Sequence, residues 1–467
     1  MSIVVPLTAL ASMPPPVWAE HTFGTAALGD ARRTQRLVAT AAACAACPDG
    51  SLPQQLHDPA ALKATYRLLD NAQIDFAALL APHQAQTEAL AASLPVVLLV
   101  QDTTELDFSA HQATTDLAPI GDGRGRGFHL QTVLAVQPQP RLPLGVLAAE
   151  PWRRQPAPVP DESSFQRTKR PRESAVWGRL VEQVGSPPAG VRWVHVADRG
   201  ADCYSFFAAC ARTETDVLVR VVQNRRIADG TGEPGYLRDG LRAQPARSER
   251  ALHLPTRAGR PARQTTVAIS WTAVTLQPPV HRSREPSALP PLPVWTVRVW
   301  EAEPPSDSEP VEWLLMTSVP VECEADAWER VDWYTTRWLI EEFHQCLKTG
   351  CKAESCQLRD RANLWRHLGI LLPLAVRLLL LRDLCRAQPT APATLVADPL
   401  TIQLVAARTR LPPAQSVLAF TRQVARLGGH QGRKGDGPPG WRTLWRGWLF
   451  VQTLLEGARL AADLEDA

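Results

Sequence analysis

The segment Tyr334-Thr-Thr-Arg337-Trp-Leu-Ile-Glu341-Glu-Phe-His-Gln-Cys-Leu-Lys348 is the most informative stretch of the chain. In an α-helix each residue advances by about 100°, so the four numbered residues would fall within roughly 60° of one another. That face combines a phenol, two cations and a carboxylate, groups that can hold a phosphodiester and a divalent cation. An ordinary solvated face of an amphipathic helix has the same pattern, so this segment alone leaves both interpretations open.

Two apolar runs upstream each end in an aspartate. They are Pro95-Val-Val-Leu-Leu-Val100-Gln101-Asp102 and Val191-Arg-Trp-Val-His-Val-Ala-Asp198. Runs of this kind predict strands buried on both faces, with the carboxylate at the carboxyl end, where ligands bind in open α/β sheets. Together with Glu341, the two aspartates would form a three-carboxylate set that can bind two Mg²⁺ ions about 4 Å apart. Each aspartate by itself could equally be a helix cap or a turn residue.

These motifs carry a family resemblance. Gln101-Asp102-Thr-Thr, Ala197-Asp198-Arg199 and the pattern Tyr-x2-Arg-x3-Glu-x6-Lys at 334–348 resemble bacterial insertion-sequence transposases of the IS-four group. These enzymes have an RNase H-like catalytic core of the Asp-Asp-Glu type, and the chain is similar to the Tn-five transposase among them. The resemblance extends to Trp18–Phe23 and Tyr66-Arg67 near the amino terminus, and to Trp441–Trp448 near the carboxyl terminus.

The resemblance implies roles for individual residues. Asp102, Asp198 and Glu341 would be catalytic and would hold two Mg²⁺ ions, for which Mn²⁺ can substitute. Phosphate and DNA contacts would come from five further residues: Tyr334, Arg337, Lys348, Arg220 and Trp313. In this family Trp313 would stack on a base flipped out of the duplex, although a tryptophan buried on a strand is the ordinary alternative.

The resemblance also implies the reaction and the partners. The chain would cut and paste a mobile element by hydrolytic nicking, hairpin formation, hairpin opening and strand transfer. Its partners would be double-stranded DNA, as element ends and target, and a second copy of the chain in a synaptic homodimer. Two alternatives remain: an inactive DNA-binding inhibitor of transposition, and an RNase H-like nuclease that cuts without strand transfer.

The order of patterns predicts three regions in this chain of 467 residues. Residues 1–80 and 371–467 are predicted to be helical. The resemblance implies that the first region binds DNA and that the second is a dimerisation domain, although the apolar helices of the second could equally pack within one chain. Between them lies an α/β core, 81–370, with a β-rich insertion at about 217–320 that should contain strands at 216–222, 265–276, 294–299 and 313–317. Trp152–Arg172, rich in proline and charge, is predicted to be a mobile loop, and Gly121–Gly127 a hairpin connection.

Composition limits the remaining possibilities. A net charge of +3 excludes a uniformly basic surface, so DNA contacts must come from local patches. Nine scattered cysteines, including Cys44 and Cys47, are typical of a protein whose thiols stay reduced in the cytoplasm. We therefore expect the protein in the bacterial cytoplasm, associated with the DNA of the nucleoid. The amino-terminal residues are expected to be a poor secretory signal, since no basic residue precedes the apolar ones, and the most apolar stretch is interrupted too often to predict a membrane span. The candidate patches are Arg32, Arg33 and Arg36; Lys169, Arg170 and Arg172; and Arg225 and Arg226.

Overall fold

A computed structural model describes residues 6–154, 172–254, 262–279, 289–303, 310–433, 436 and 439–465. The helices are α1 (Leu7–Ser12), α2 (Pro15–Phe23), α3 (Ala31–Ala46), α4 (Leu52–Gln55), α5 (Pro59–Leu69), α6 (Phe76–Ala92), α7 (Ala175–Val184), α8 (Tyr204–Arg212), α9 (Leu237–Ala243), α10 (Glu324–Thr336), α11 (Leu339–Gln345), α12 (Arg361–Ala387), α13 (Pro399–Thr409), α14 (Val417–Leu427) and α15 (Trp441–Glu465). The strands are β1 (Val96–Asp107), β2 (Ala118–Ile120), β3 (Gly125–Gln137), β4 (Leu142–Trp152), β5 (Arg192–Ala197), β6 (Asp216–Arg220), β7 (Arg226–Ala228), β8 (Pro234–Tyr236), β9 (Ser248–Leu254), β10 (Arg263–Leu276), β11 (Leu292–Glu301) and β12 (Glu312–Thr317).

The long strand β1 is the centre of the catalytic half of the sheet. It pairs antiparallel with β3 on one side and parallel with β5 on the other, which gives the order β4-β3-β1-β5-β6. Three antiparallel strands are thus followed by two strands parallel to β1, with helices on both faces. This is an RNase H-like arrangement, and the predicted α/β class is confirmed.

Both faces of β1 are buried, as its continuous apolar run predicted. Leu98 and Val100 belong to the larger core, while Val97 and Leu99 belong to a second core on the opposite face. Side chains alternate along a strand, so consecutive residues supply the two cores in turn. Asp102 continues the face of Leu98 and Val100, which is the face that α11 also packs against.

The β-rich insertion extends the same sheet. Strand β12 pairs antiparallel with β6, and β11, β10, β7 and β8 continue the order outward, with β9 pairing on β10. The four strands expected in this region are all present. Because β6 pairs both with β5 of the catalytic half and with β12, the insertion is hydrogen-bonded to the strands that carry the acids.

Helices occupy both ends of the chain, as predicted. Asp30 and Asp58 cap α3 and α5 by accepting backbone N–H bonds, which is why these helices start where the aspartates stand. Helix α12 is buried over most of its length, including Leu378–Leu384. None of the helices in the described ranges combines the length and apolar character needed to cross a membrane.

The signature segment 334–348 differs from the single α-helix that its spacing predicted. Helix α10 ends at Thr336, a tighter turn follows in which the Arg337 N–H donates to Tyr334 O, and α11 begins at Leu339. Thr335 and Thr336 both donate their hydroxyls to the carbonyl of Asp332, and such back-bonding bends helices. After α11 the chain forms one π-helical turn, Cys346–Gly350.

Some predictions fall outside the described residues. The central part of the predicted loop Trp152–Arg172 lies outside the described residues, and Lys169 and Arg170 of one basic patch are in that part. Proline-rich turns are also predicted from the sequence at 277–293 and 304–310, and parts of both lie outside the described residues. The predicted hairpin connection at Gly121–Gly127 is confirmed, since it joins β2 and β3.

Candidate active site

The two aspartates lie side by side where the parallel pairing of β1 with β5 stops, and Asp198 directly follows the last residue of β5. The sequence also predicted that Asp102 ends its strand, and this is wrong, because β1 continues to Asp107 through its antiparallel pairing with β3. Gln101 of β1 is in register with Ala197 of β5, and Asp102 and Asp198 are the next residues. Oδ1 of Asp102 accepts the Thr103 N–H at 2.8 Å, and Oδ1 of Asp198 accepts the Gly200 N–H at 2.7 Å. Asp198 therefore also caps the short turn that follows β5. These hydrogen bonds use only Oδ1 of each aspartate, and Oδ2 is not part of them.

Glu341 is linked to Asp102 by Arg337. Nη2 of Arg337 donates to Oε1 of Glu341 at 2.7 Å, and Nη1 lies 3.6 Å from Oδ2 of Asp102. The guanidinium is well buried, with 13 % of the Arg337 side chain exposed. Helix α11 thus brings the glutamate to the aspartates, with one arginine between them.

The pKa of Asp102 is raised by its burial and by the neighbouring acids. Burial, followed by the negative charge of Asp198, raises the pKa of Asp102 to about 7, and Glu341 acts in the same direction. The Thr103 N–H and the charge of Arg337 oppose this shift only in part. A further cation beside Asp102 would act in the same direction as Arg337 and favour the ionised carboxylate.

Tyr334 joins the acids to the insertion. Its ring lies edge-on to Trp313, with centroids 5.7 Å apart, and the guanidinium of Arg337 lies 5.9 Å from its centroid. Burial raises the pKa of the Tyr334 phenol, although the charges of Arg337 and Arg220 oppose it. The structure therefore gathers the phenol, two arginines and the tryptophan beside the acids. Trp313 is half-buried in this position.

Arg220 ends β6 beside this group. Its Nη2 donates to the carbonyl of Glu312 at 3.0 Å, which ties β6 to β12. Burial and the neighbouring charge of Arg199 lower the pKa of Arg220. Arg199 itself is exposed and directly follows Asp198. Its position after an acid at a strand end is the sequence signal that could have identified it, and no role was predicted for it.

Lys348 lies apart from the acids. Its Nζ is 3.5 Å from Oε1 of Glu354, and the same oxygen accepts the Asp107 N–H at the end of β1. Asp107 is five residues beyond Asp102, which corresponds to roughly 16 Å along a strand. The prediction that all four signature residues share one compact face is therefore wrong for Lys348, because the tight turn and the π-helical turn change the helical phase. Glu354 was not predicted from the sequence.

Glu342, next to Glu341, has a different environment. Its Oε2 accepts from Nη2 of Arg382 on α12 at 2.7 Å, and Arg382 also donates from Nε to Asp383. Arg382 and Asp383 are almost fully buried. Adjacent glutamates thus point to opposite partners, with Glu341 facing Asp102 and Glu342 fastening α11 to α12.

Three family models match the chain. The model "Transposase DNA-binding" matches residues 16–74, "Transposase DDE domain" matches 168–377, and "Transposase Tn5 dimerisation domain" matches 374–467. Matches of all three kinds, in this order along one polypeptide, decide the family. The chain belongs to the Tn5-like DDE transposases. It is a DNA transposase with DNA-binding, catalytic and dimerisation regions.

The DDE model includes Asp198 and Glu341 of this transposase but begins after Asp102. The place of Asp102 in the site therefore rests on the strand pairing and on Arg337. One of the basic patches has another use in the transposase: Arg225 pairs with the buried Asp202 at 2.7 Å, so its guanidinium stabilises the loop after β6. Sequence reasoning missed this because the partner lies 23 residues away.

The donor set of the transposase suits a divalent metal, although it is not arranged as a finished metal site. Within the ranges that the structure describes, no group of three His, Cys, Asp or Glu side chains is positioned to hold a metal ion. The three acids nevertheless supply the oxygen ligands that Mg²⁺ and Mn²⁺ prefer. Burial is the main cause of the raised pKa of Asp102, and the negative charges of Asp198 and Glu341 add to it. The His344, Cys346 and Cys351 side chains are buried in the core.

Proposed function

We propose that this transposase carries out cut-and-paste transposition at the ends of a mobile element, with Asp102, Asp198 and Glu341 as its catalytic and metal-binding acids. The observation that carries the proposal is that Asp102 and Asp198 lie side by side on neighbouring strands while Arg337 joins Asp102 to Glu341 on α11. Bound divalent cations would activate the attacking oxygen and stabilise the leaving oxygen of an in-line displacement at phosphorus. DDE transposases use Mg²⁺ or Mn²⁺ in this role.

The residues around the acids support the positioning of a DNA end. Arg220, Arg199 and Arg337 place positive charge on one side of Tyr334, where phosphate oxygens could accept hydrogen bonds. Trp313 offers an indole beside the same ring, and stacking on a flipped base contributes about 1 to 3 kcal/mol. Lys348 would contact the DNA farther along β1. The successive nicking, hairpin formation, hairpin opening and strand transfer would all use this one site.

We further propose that two copies of the chain act together on two DNA ends, through the region 371–467. Leu460 and Leu464 near the end of α15 are 63 % and 79 % exposed, which suits a partner-facing apolar surface. Residues 1–80 would bind the element end, and 81–370 would form the catalytic core with its insertion at about 217–320. The substrate would be nucleoid DNA.

The decisive experiment uses the full-length protein and a supercoiled plasmid that carries the DNA flanking the gene on both sides. In Mg²⁺ we expect nicks at both element ends, hairpin-ended products on a denaturing gel, and joining to target DNA. Glu341→Gln should abolish every step, whereas the adjacent Glu342→Gln should retain cleavage. Binding without cleavage would instead support the inhibitor, and nicking without hairpins or joined products would support a plain nuclease.

A further inference from the structure

The signature cations of this chain are paired with its own carboxylates. Arg337 contacts Asp102 and Glu341, and Lys348 contacts Glu354. In the proposed reaction the same cations would hold DNA phosphates. Each cation therefore has two competing partners, an internal carboxylate and an external phosphate.

Arg337 occupies one oxygen of Glu341 and faces one oxygen of Asp102. Oε1 of Glu341 accepts from it at 2.7 Å, and Oδ2 of Asp102 faces it at 3.6 Å, while Oδ1 of Asp102 accepts the Thr103 N–H. The positive charge lies between two of the acids that would hold the metal. This accounts for the finding that the described side chains form no ready metal site although three acids converge.

We propose that Arg337 is an internal counter-ion that competes with the divalent metal, and that it exchanges Asp102 and Glu341 for a DNA phosphate when an element end binds. The inference rests on the proposed function and adds a regulation of its metal site. A phosphate accepts two hydrogen bonds from a guanidinium as a carboxylate does, so the exchange replaces like with like. Asp102 and Glu341 would then be available to hold the metal, because Arg337 no longer contacts them.

This exchange makes metal binding and DNA binding cooperative. If DNA removes Arg337 from the acids, DNA must tighten metal binding, and the metal must tighten DNA binding by the same factor. The DNA-free transposase would then hold the metal weakly. Tight metal loading would be confined to the complex with a DNA end, where cleavage is intended.

The first test measures Mn²⁺ binding to the DNA-free, full-length protein by electron paramagnetic resonance of the free ion. Arg337→Gln removes the competing charge and should tighten Mn²⁺ binding by about tenfold, since a unit charge a few Å away acts strongly on a carboxylate. Arg337→Lys should stay close to the wild type. Arg250→Gln, which breaks a surface pair with Asp332, is the matched control and should have no effect.

Two results would overturn the inference. One is an Arg337→Gln protein that binds Mn²⁺ no more tightly than the wild type, and the other is equal tightening in Arg337→Lys. The double variant Arg337→Gln with Asp198→Asn separates the inference from the proposed function. If Asp198 is needed for Mn²⁺ binding but Arg337→Gln does not tighten it, only the inference fails. If the double variant binds Mn²⁺ as tightly as Arg337→Gln alone, the bound ion does not use Asp198, and the proposed metal centre fails.

A second measurement needs no variant. The affinity of wild-type protein for a fluorescent element-end duplex is measured by anisotropy with and without Ca²⁺, at constant ionic strength. Ca²⁺ takes the same oxygen ligands, so it should tighten DNA binding by about tenfold if the two are coupled. Equal affinities in both conditions would refute the exchange, whatever the stability of the Arg337 variants.

Discussion

Alanine substitutions of the adjacent residues Glu341 and Glu342 should affect different properties of the protein: Glu341→Ala its DNA cleavage, and Glu342→Ala its stability. Glu342 balances Arg382, whose side chain is 3 % exposed, whereas the Glu341 side chain is itself 34 % exposed and its partner Arg337 keeps Asp102 as a second acid. Removing one partner of a fully buried pair costs about 3 to 5 kcal/mol, and a surface pair contributes about 0 to 1 kcal/mol. Glu342 is 23 % exposed and Asp383 still neighbours Arg382, so we expect Glu342→Ala to lose about 2 kcal/mol.

The assay is urea unfolding of the full-length protein, followed by tryptophan fluorescence, together with the plasmid cleavage assay. Glu341→Ala should unfold within about 1 kcal/mol of the wild type and yet cleave no DNA. Glu342→Gln, which keeps a hydrogen-bond acceptor for Arg382, should recover about half of the loss. Equal destabilisation by Glu341→Ala and Glu342→Ala would refute the assignment of the two glutamates to opposite partners.

Three other predictions concern stability, pH and the second signature cation. Asp202→Ala should destabilise the protein by about 3 kcal/mol in the same unfolding assay, because it leaves the half-buried Arg225 and two backbone N–H groups without their acceptor; a loss below about 1 kcal/mol would contradict this. The hydrogen bond from Arg263, above all, lowers the pKa of Glu301 from 4.5 to about 2, so its stabilisation is complete above pH 4.5 and is lost as the pH falls toward 2. The difference in unfolding midpoint between wild type and Glu301→Gln should therefore shrink between pH 6 and pH 3, and a constant difference would argue against this role. Glu354→Gln should free Lys348 and tighten binding of an element-end duplex by about threefold in low salt, whereas Lys348→Gln should weaken it; unchanged affinity in both variants would exclude Lys348 from the DNA surface.

The strands and their acids could be predicted because the signals are local. An apolar run buried on both faces is continuous in the sequence, and Asp102 and Asp198 each follow such a run. The polar continuation of β1 to Asp107 was not predicted, because it depends on the pairing with β3. The starts of α3 and α5 are also set locally, since Asp30 and Asp58 each cap one helix with a single side chain. The signature spacing correctly predicted that Arg337 and Glu341 are neighbours, because they are four residues apart on one helical face.

The missed features depend on partners that are distant in sequence or on small changes in helical pitch. The bend at Arg337 comes from two threonine hydroxyls that share the carbonyl of Asp332, a choice that helix propensity does not reveal. Lys348 left the common face because the segment continues into a π-helical turn. Arg225 looked like a surface cation, and only the fold shows that Asp202 neutralises it.

The pairing of β6 explains how an insertion of this size can serve a site built mainly from other strands. Arg220 is in register with Leu315 of β12, two residues from Trp313, and β6 itself pairs in parallel with β5, which ends at Asp198. A continuous hydrogen-bonded ladder therefore fixes the residues proposed to grip DNA relative to those proposed to cut it. Tyr334 closes the arrangement from the helical side, by contacting Trp313 and Arg337. A base stacked on Trp313 would consequently be held at a set distance from the acids, without a hinge between recognition and cleavage.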